Sequence, residues 1–84
     1  MTDREHPLRL CVLSPEGTLL DTAAKSVRLT AADGSLGIHR GHPTALILLA
    51  HGKLSYVKNG EQFSLDTNGV FAEVRDDTVT VIAE

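Results

Sequence analysis

Cysteine is almost missing from this chain. Cys11 is the only one among 84 residues, so no internal disulfide can form and a cysteine-rich structural zinc site is excluded. Long apolar stretches are missing too. The longest, Ala45 to Ala50, has six residues, against the roughly 20 that a membrane-crossing helix needs. Basic clusters are absent: eight Lys and Arg are spread along a chain of formal net charge −3, which argues against a nucleic-acid partner. Residues 1–7 are polar and charged, without the apolar segment of a signal peptide. No stretch has the periodicity of an amphipathic helix, and no repeat, linker or low-complexity segment occurs. These absences leave a soluble, by default cytoplasmic, single small domain over residues 1–84. Its core is thin, because a domain of this size buries only about 60% of its unfolded surface.

What remains is strand signal. Leu8, Leu10 and Val12 alternate with Arg9, Cys11 and Leu13, as in a half-buried strand. Pro15-Glu16-Gly17 marks a turn, and Val27 and Leu29 alternate with Ser26, Arg28 and Thr30 up to Asp33-Gly34. The run Thr44 to Ala50 is too uniformly apolar to show a face. Its length and the flanking His42-Pro43 and His51-Gly52 favour a central strand over a buried helical turn. Leu54 and Tyr56 lead to Asn59-Gly60, the pair that suits a type I′ hairpin turn. Phe63 and Leu65 then share one face. Asn68-Gly69 and Asp76-Asp77 mark further turns; between them Val70, Ala72 and Val74 share one face opposite Phe71, Glu73 and Arg75, and Val79 and Val81 lie on one side of a last strand. Such spacing implies an all-β chain without significant helix, a flattened β-sandwich or barrel of about ten short strands.

Catalytic and metal chemistry find little support. His39 and His42 are three apart, a spacing that converges on a helix but diverges on an extended strand. Gly37, Gly41 and Pro43 oppose that helix, since each glycine costs about 1 kcal/mol and the proline about 3. Surface or partly packed histidines are therefore favoured over a metal site, and no cofactor is expected. Cys11 alternates with the apolar face and reads as a small hydrophobe. Glu73, between Ala72 and Val74, reads as a paired or exposed strand carboxylate. The glycine run lacks the lysine and following helix of a phosphate loop. An enzyme is not expected.

A protein-interaction module is the remaining class, with the segment from Ser35 onward as its surface. Leu36 and Ile38 point the same way on an extended backbone and are expected in the core. Ser35, His39, Arg40 and His42 then face outward. Pro43 holds His42 in extended geometry, and Thr44 follows. A stiff loop loses less entropy on docking. The alternative from another class is a small metal- or ligand-binding accessory domain with a histidine-containing loop.

The run Gly34-Ser35-Leu36-Gly37-Ile38-His39-Arg40-Gly41-His42 resembles the G-x-L-G-I-x-x-G-H segment of the epsilon subunit of rotary ATP synthases. Val12-Leu13-Ser14-Pro15-Glu16-Gly17, Gly52, Gly69-Val70-Phe71-Ala72-Glu73-Val74 and Val79-Thr80-Val81-Ile82-Ala83-Glu84 resemble further segments of that family in the same order. The resemblance implies the family's amino-terminal β-sandwich at the foot of the central stalk. It implies a non-catalytic rotor subunit that couples the gamma subunit to the membrane c-ring in proton- or sodium-driven ATP synthesis. It also implies a cytoplasmic position, peripheral on the inner face of the energy-transducing membrane without direct insertion. By position, Ser35 and His42 fall at the c-ring contact. The partner-binding set is Ser35, Leu36, Ile38, His39, Arg40, His42, Pro43 and Thr44. Two departures stand out. Ser35 replaces a common glutamate, and Pro43 directly follows His42 where relatives read G-H-A-P. The family's two-helix domain has no counterpart before Glu84, and the initial Met1 favours a naturally short subunit over an excised domain.

Overall fold

The computed structural model describes residues 4–84 and contains two antiparallel-rich sheets packed face to face. Nine strands follow in chain order: β1 (Leu8–Ser14), β2 (Gly17–Ala24), β3 (Ser26–Ala31), β4 (Gly34–Ile38), β5 (Ala45–Leu48), β6 (Gly52–Lys58), β7 (Glu61–Thr67), β8 (Gly69–Arg75) and β9 (Thr78–Ala83). An isolated bridge joins Ala31 to Leu49. The first sheet has the order β2-β1-β9-β8-β5 and the second β4-β3-β6-β7. This is the flattened β-sandwich expected, without helix among the described residues.

Alternation builds the core. Leu8, Leu10 and Val12 on β1, Val27 and Leu29 on β3, and Val79 and Val81 on β9 are buried. Ile38 and Leu54 join them from β4 and β6. Because successive strand residues face opposite ways, each strand gives one apolar row to the interior and one row to solvent. Each fully buried aliphatic side chain contributes about 1.5–3 kcal/mol. β9 lies in the middle of its sheet, parallel to β1 and antiparallel to β8. The two ends of the chain therefore close the first sheet against each other.

The turns follow their residues. Asn59 and Gly60 have φ of 53° and 75°, and Asp76 and Asp77 have φ of 50° and 59°, the paired left-handed geometry of type I′ hairpins. Asn and Asp are the non-glycine residues that best tolerate that region. Gly52 shows a different need, close approach. A Cβ there would stand 2.9 Å from Thr30 Oγ1, whose hydroxyl donates to the Lys53 carbonyl at 3.0 Å.

Three sequence expectations differ from the fold. The Thr44–Ala50 run is a strand over Ala45–Leu48, but it lies at a sheet edge, not in the centre. Only Val74, Glu73, Ala72 and Phe71 of β8 pair with it, so its outward side chains Leu46 and Leu48 are left exposed. Asn68-Gly69 is no hairpin, since β7 and β8 belong to different sheets and Asn68 carries the chain across. Val70 does not share the inward face of Ala72. A register shift between Gly69 and Phe71 turns it outward, as bulges do.

Candidate functional site

The glycine-rich segment divides into a strand and an ordered loop. β4 pairs with β3 through Ile38–Val27, Gly37–Arg28, Leu36–Leu29 and Ser35–Thr30. Alternation puts Ile38 fully inside and Leu36 half-buried against the core. Ile38, one of the candidate partner-binding residues, therefore has no surface to offer and acts as core. Its buried strand neighbours Val27 and Leu29 cover it from β3.

Beyond Ile38 the chain turns at His39-Arg40-Gly41-His42. The His42 N–H donates to the His39 carbonyl at 3.2 Å, and Gly41 has φ of 80°, the positive value a glycine supplies at the third position of a turn. The Gly41 N–H donates to Asp77 Oδ1 at 2.8 Å. That bond ties the loop to the β8–β9 hairpin across the end of the sandwich. His42 Nδ1 lies 2.7 Å from the Pro43 carbonyl. A carbonyl only accepts, so in this bond Nδ1 is the donor. His39, Arg40, Pro43 and Thr44 are exposed, and His42 is half-buried. The loop is stiff, polar and displayed.

The histidines do not converge. His6 is buried, and its Nε2 accepts the Asn59 N–H at 3.0 Å, far along the chain from the loop. His51 is exposed on the β5–β6 connection. Among the described residues no three His, Cys, Asp or Glu side chains stand close enough to hold one ion.

A second surface was not marked in the sequence. Register across the first sheet aligns Leu13 with Ile82, Ile82 with Phe71, and Phe71 with Leu48. All four point outward, opposite the buried residues beside them. Leu19 stands exposed near the bulge where β2 passes Leu13. The result is an apolar band running across the outer face. Leu48 is 68% exposed and Leu46 73%, values far from the usual burial of large aliphatics. The next row is mixed: Asp21, Cys11, Thr80, Glu73 and Leu46 align by the same register. A groove of about 650 Å³ connects this band to Ser35 and Leu36, between β4 and β5.

Electrostatics pin the other flank of that face. Arg9 donates to both Asp21 oxygens, at 3.1 and 2.8 Å. Both side chains are nearly half exposed, so solvent screens the pair and it adds little to stability. The bond from Arg9 holds the Asp21 carboxyl below the ordinary carboxylate range. Burial first, and then the hydrogen bond to Asp21, push the Cys11 thiol up. Its Sγ lies 3.5 Å from Asp21 Oδ1. A raised thiol holds less thiolate at neutral pH and reacts slowly there.

Comparison with known proteins places this geometry in a family. The family described as "ATP synthase, Delta/Epsilon chain, beta-sandwich domain" matches residues 7–84. The ATP synthase epsilon chain of Desulfitobacterium hafniense is 36% identical over 75 residues, covering 89% of this chain and 57% of that protein. The epsilon chain of Solibacter usitatus is 38% identical over 77 residues, covering 92% and 58%. This chain thus spans a little over half the length of these curated relatives. Among solved structures, a chain of the Euglena gracilis mitochondrial ATP synthase OSCP/F1/c-ring superposes with a TM-score of 0.83 at 21% identity, over 93% of this chain and 51% of that one. A chain of the Tetrahymena thermophila mitochondrial ATP synthase central stalk and c-ring gives 0.73 at 16% identity, over 96% and 66%. At such identities the two superpositions establish a shared fold. No helix among the described residues is long and apolar enough to cross a membrane.

Proposed function

This chain belongs to the ATP synthase delta/epsilon chain β-sandwich domain family, and on that premise we propose that it is a non-catalytic central-stalk subunit. It couples the gamma subunit to the membrane c-ring, so that stalk and ring turn as one body during ion-driven ATP synthesis. The apolar band through Leu13, Ile82, Phe71 and Leu48 supports this reading most. A band of that kind on an outer sheet face marks a protein-docking surface. Gamma covers the band, and the polar loop around His39, Arg40, His42, Pro43 and Thr44 meets the ring. Ser35 and Leu36 border the groove between these two surfaces. The subunit works on the cytoplasmic side, peripheral to the membrane, and needs no cofactor or metal.

Stable docking requires roughly 1,200–2,000 Å² of total buried surface, shared here between two partners. The division of labour sets the test. Purified gamma is expected to retain the chain in a pull-down, and His42→Ala is expected to weaken ring assembly several-fold while gamma binding stays unchanged. Failure of gamma to retain the wild type contradicts the function, and equal loss of both contacts contradicts the role of the loop.

A further inference from the structure

The outer face of the second sheet carries a cation that no carboxylate pairs with among the described residues. Arg28 points outward from β3, between the buried Val27 and Leu29. Its Nη1 donates to Ser35 Oγ on β4 at 2.8 Å. Its Nη2 lies 3.0 Å from the point where a Cβ on Gly37 would stand. The missing side chain at Gly37, the register partner of Arg28, lets the guanidinium lie across β4 and reach that hydroxyl. Arg9 offers a direct contrast: its fork is occupied by Asp21. Among the described residues, no carboxylate forms an ion pair with Arg28.

Arg28 and Gly37 border a groove of about 220 Å³, lined also by His39, Ser55, Tyr56 and Gln62. No acid lines it. Arg28 is the charged residue of that lining, and the exposed Arg40 follows His39 just beyond the end of β4, on a chain whose net charge is −3. The volume lies below the roughly 300 Å³ at which small-molecule sites begin, so the groove suits one inserted side chain, not a cofactor. A guanidinium with one N–H already bonded retains donors matched to the two oxygens of a carboxylate.

We propose that this groove receives an aspartate or glutamate side chain carried on a polar loop of the membrane ring. The proposal rests on the rotor reading above and extends it, because Ser35 and His39 join the groove to the candidate ring-facing loop. Arg28 thus becomes a specificity-determining residue of that contact, and the partner loop is acidic where it meets the sandwich.

The test is docking of the gamma-bound chain onto the purified ring, measured across rising salt. Arg28→Gln is expected to weaken docking about tenfold, the loss of one charge-assisted bond, and to flatten its salt dependence. Arg28→Lys keeps the charge without the fork and is expected to lose less. Both variants are expected to bind gamma as the wild type does. Replacing the loop acid by its amide is expected to produce the same loss without adding to that of Arg28→Gln. Wild-type docking by Arg28→Gln, fully additive losses, or ring loops without an acid overturn the inference and leave the rotor reading standing. Failure of the gamma-bound wild type to dock at all overturns both.

Discussion

Replacing Leu48 with aspartate is expected to weaken gamma binding by about 30- to 1,000-fold, the roughly 2–4 kcal/mol typical of an interface hot spot. The chain itself is expected to stay as stable as the wild type. Leu48 is on the terminal strand of its sheet and 68% exposed, so the core does not depend on it. Phe71 lies directly across from it in the β5–β8 register. A carboxylate there must be dehydrated beside Phe71 and Ile82 whenever a partner covers the band, and no base faces it in these rows. Glu73→Gln, one row away, is expected to change binding little. Titration calorimetry with gamma, alongside urea unfolding of the free variant, separates the two effects. Retained affinity in Leu48→Asp contradicts the assignment of this face.

Ile38→Ala is expected to act through the fold. Its side chain is fully buried among the core residues of both sheets, and such truncations cost about 2–5 kcal/mol. A chain of 84 residues has roughly 4–13 kcal/mol in total, so the substitution removes a large part of the stability. Ile38→Val is expected to cost only about 0.5–1.5 kcal/mol. Assembly by Ile38→Ala is expected to fall with the folded fraction and to recover when the folded fraction is restored by milder conditions. Urea midpoints and binding stoichiometry measured on one sample check this. Weakened binding with unchanged unfolding would mean that Ile38 touches a partner.

These two residues also show what the sequence made legible. Ile38 could be assigned inward because Leu36 and Ile38 alternate in a glycine-bounded strand too short to face any other way. The Asn59-Gly60 and Asp76-Asp77 turns were equally legible, since few residue pairs accept two left-handed conformations in a row. Leu48 could not be read. In an unbroken apolar run, periodicity does not say whether both faces are covered, and only the sheet order shows that β5 is an edge strand. The band depends on register among β1, β9, β8 and β5, which local pattern does not determine. Val70 looked inward by alternation and was turned out by a one-residue bulge. Arg28 lies between these extremes. Counting back from an Asp33-Gly34 turn would put His39 opposite it, whereas the observed turn at Ala32-Asp33 pairs it with Gly37. Its bond to Ser35 needed the coordinates.

Cys11 provides a built-in reporter for the central claim that gamma covers the outer face of the first sheet. It lies one row from the apolar band, aligned with Thr80 and Asp21, and it is the only thiol in the chain. Burial and the hydrogen bond to Asp21 raise its thiol, which slows alkylation, so free chain and complex are compared at one alkaline pH and reagent concentration. The decisive measurement is the rate of Cys11 alkylation in the free chain and in the complex with gamma, with complex formation verified on the same sample. At least a tenfold slowing, about the effect of excluding reagent from a docked face, is the result expected here. An unchanged rate in a fully formed complex would place gamma elsewhere on the sandwich and contradict the account.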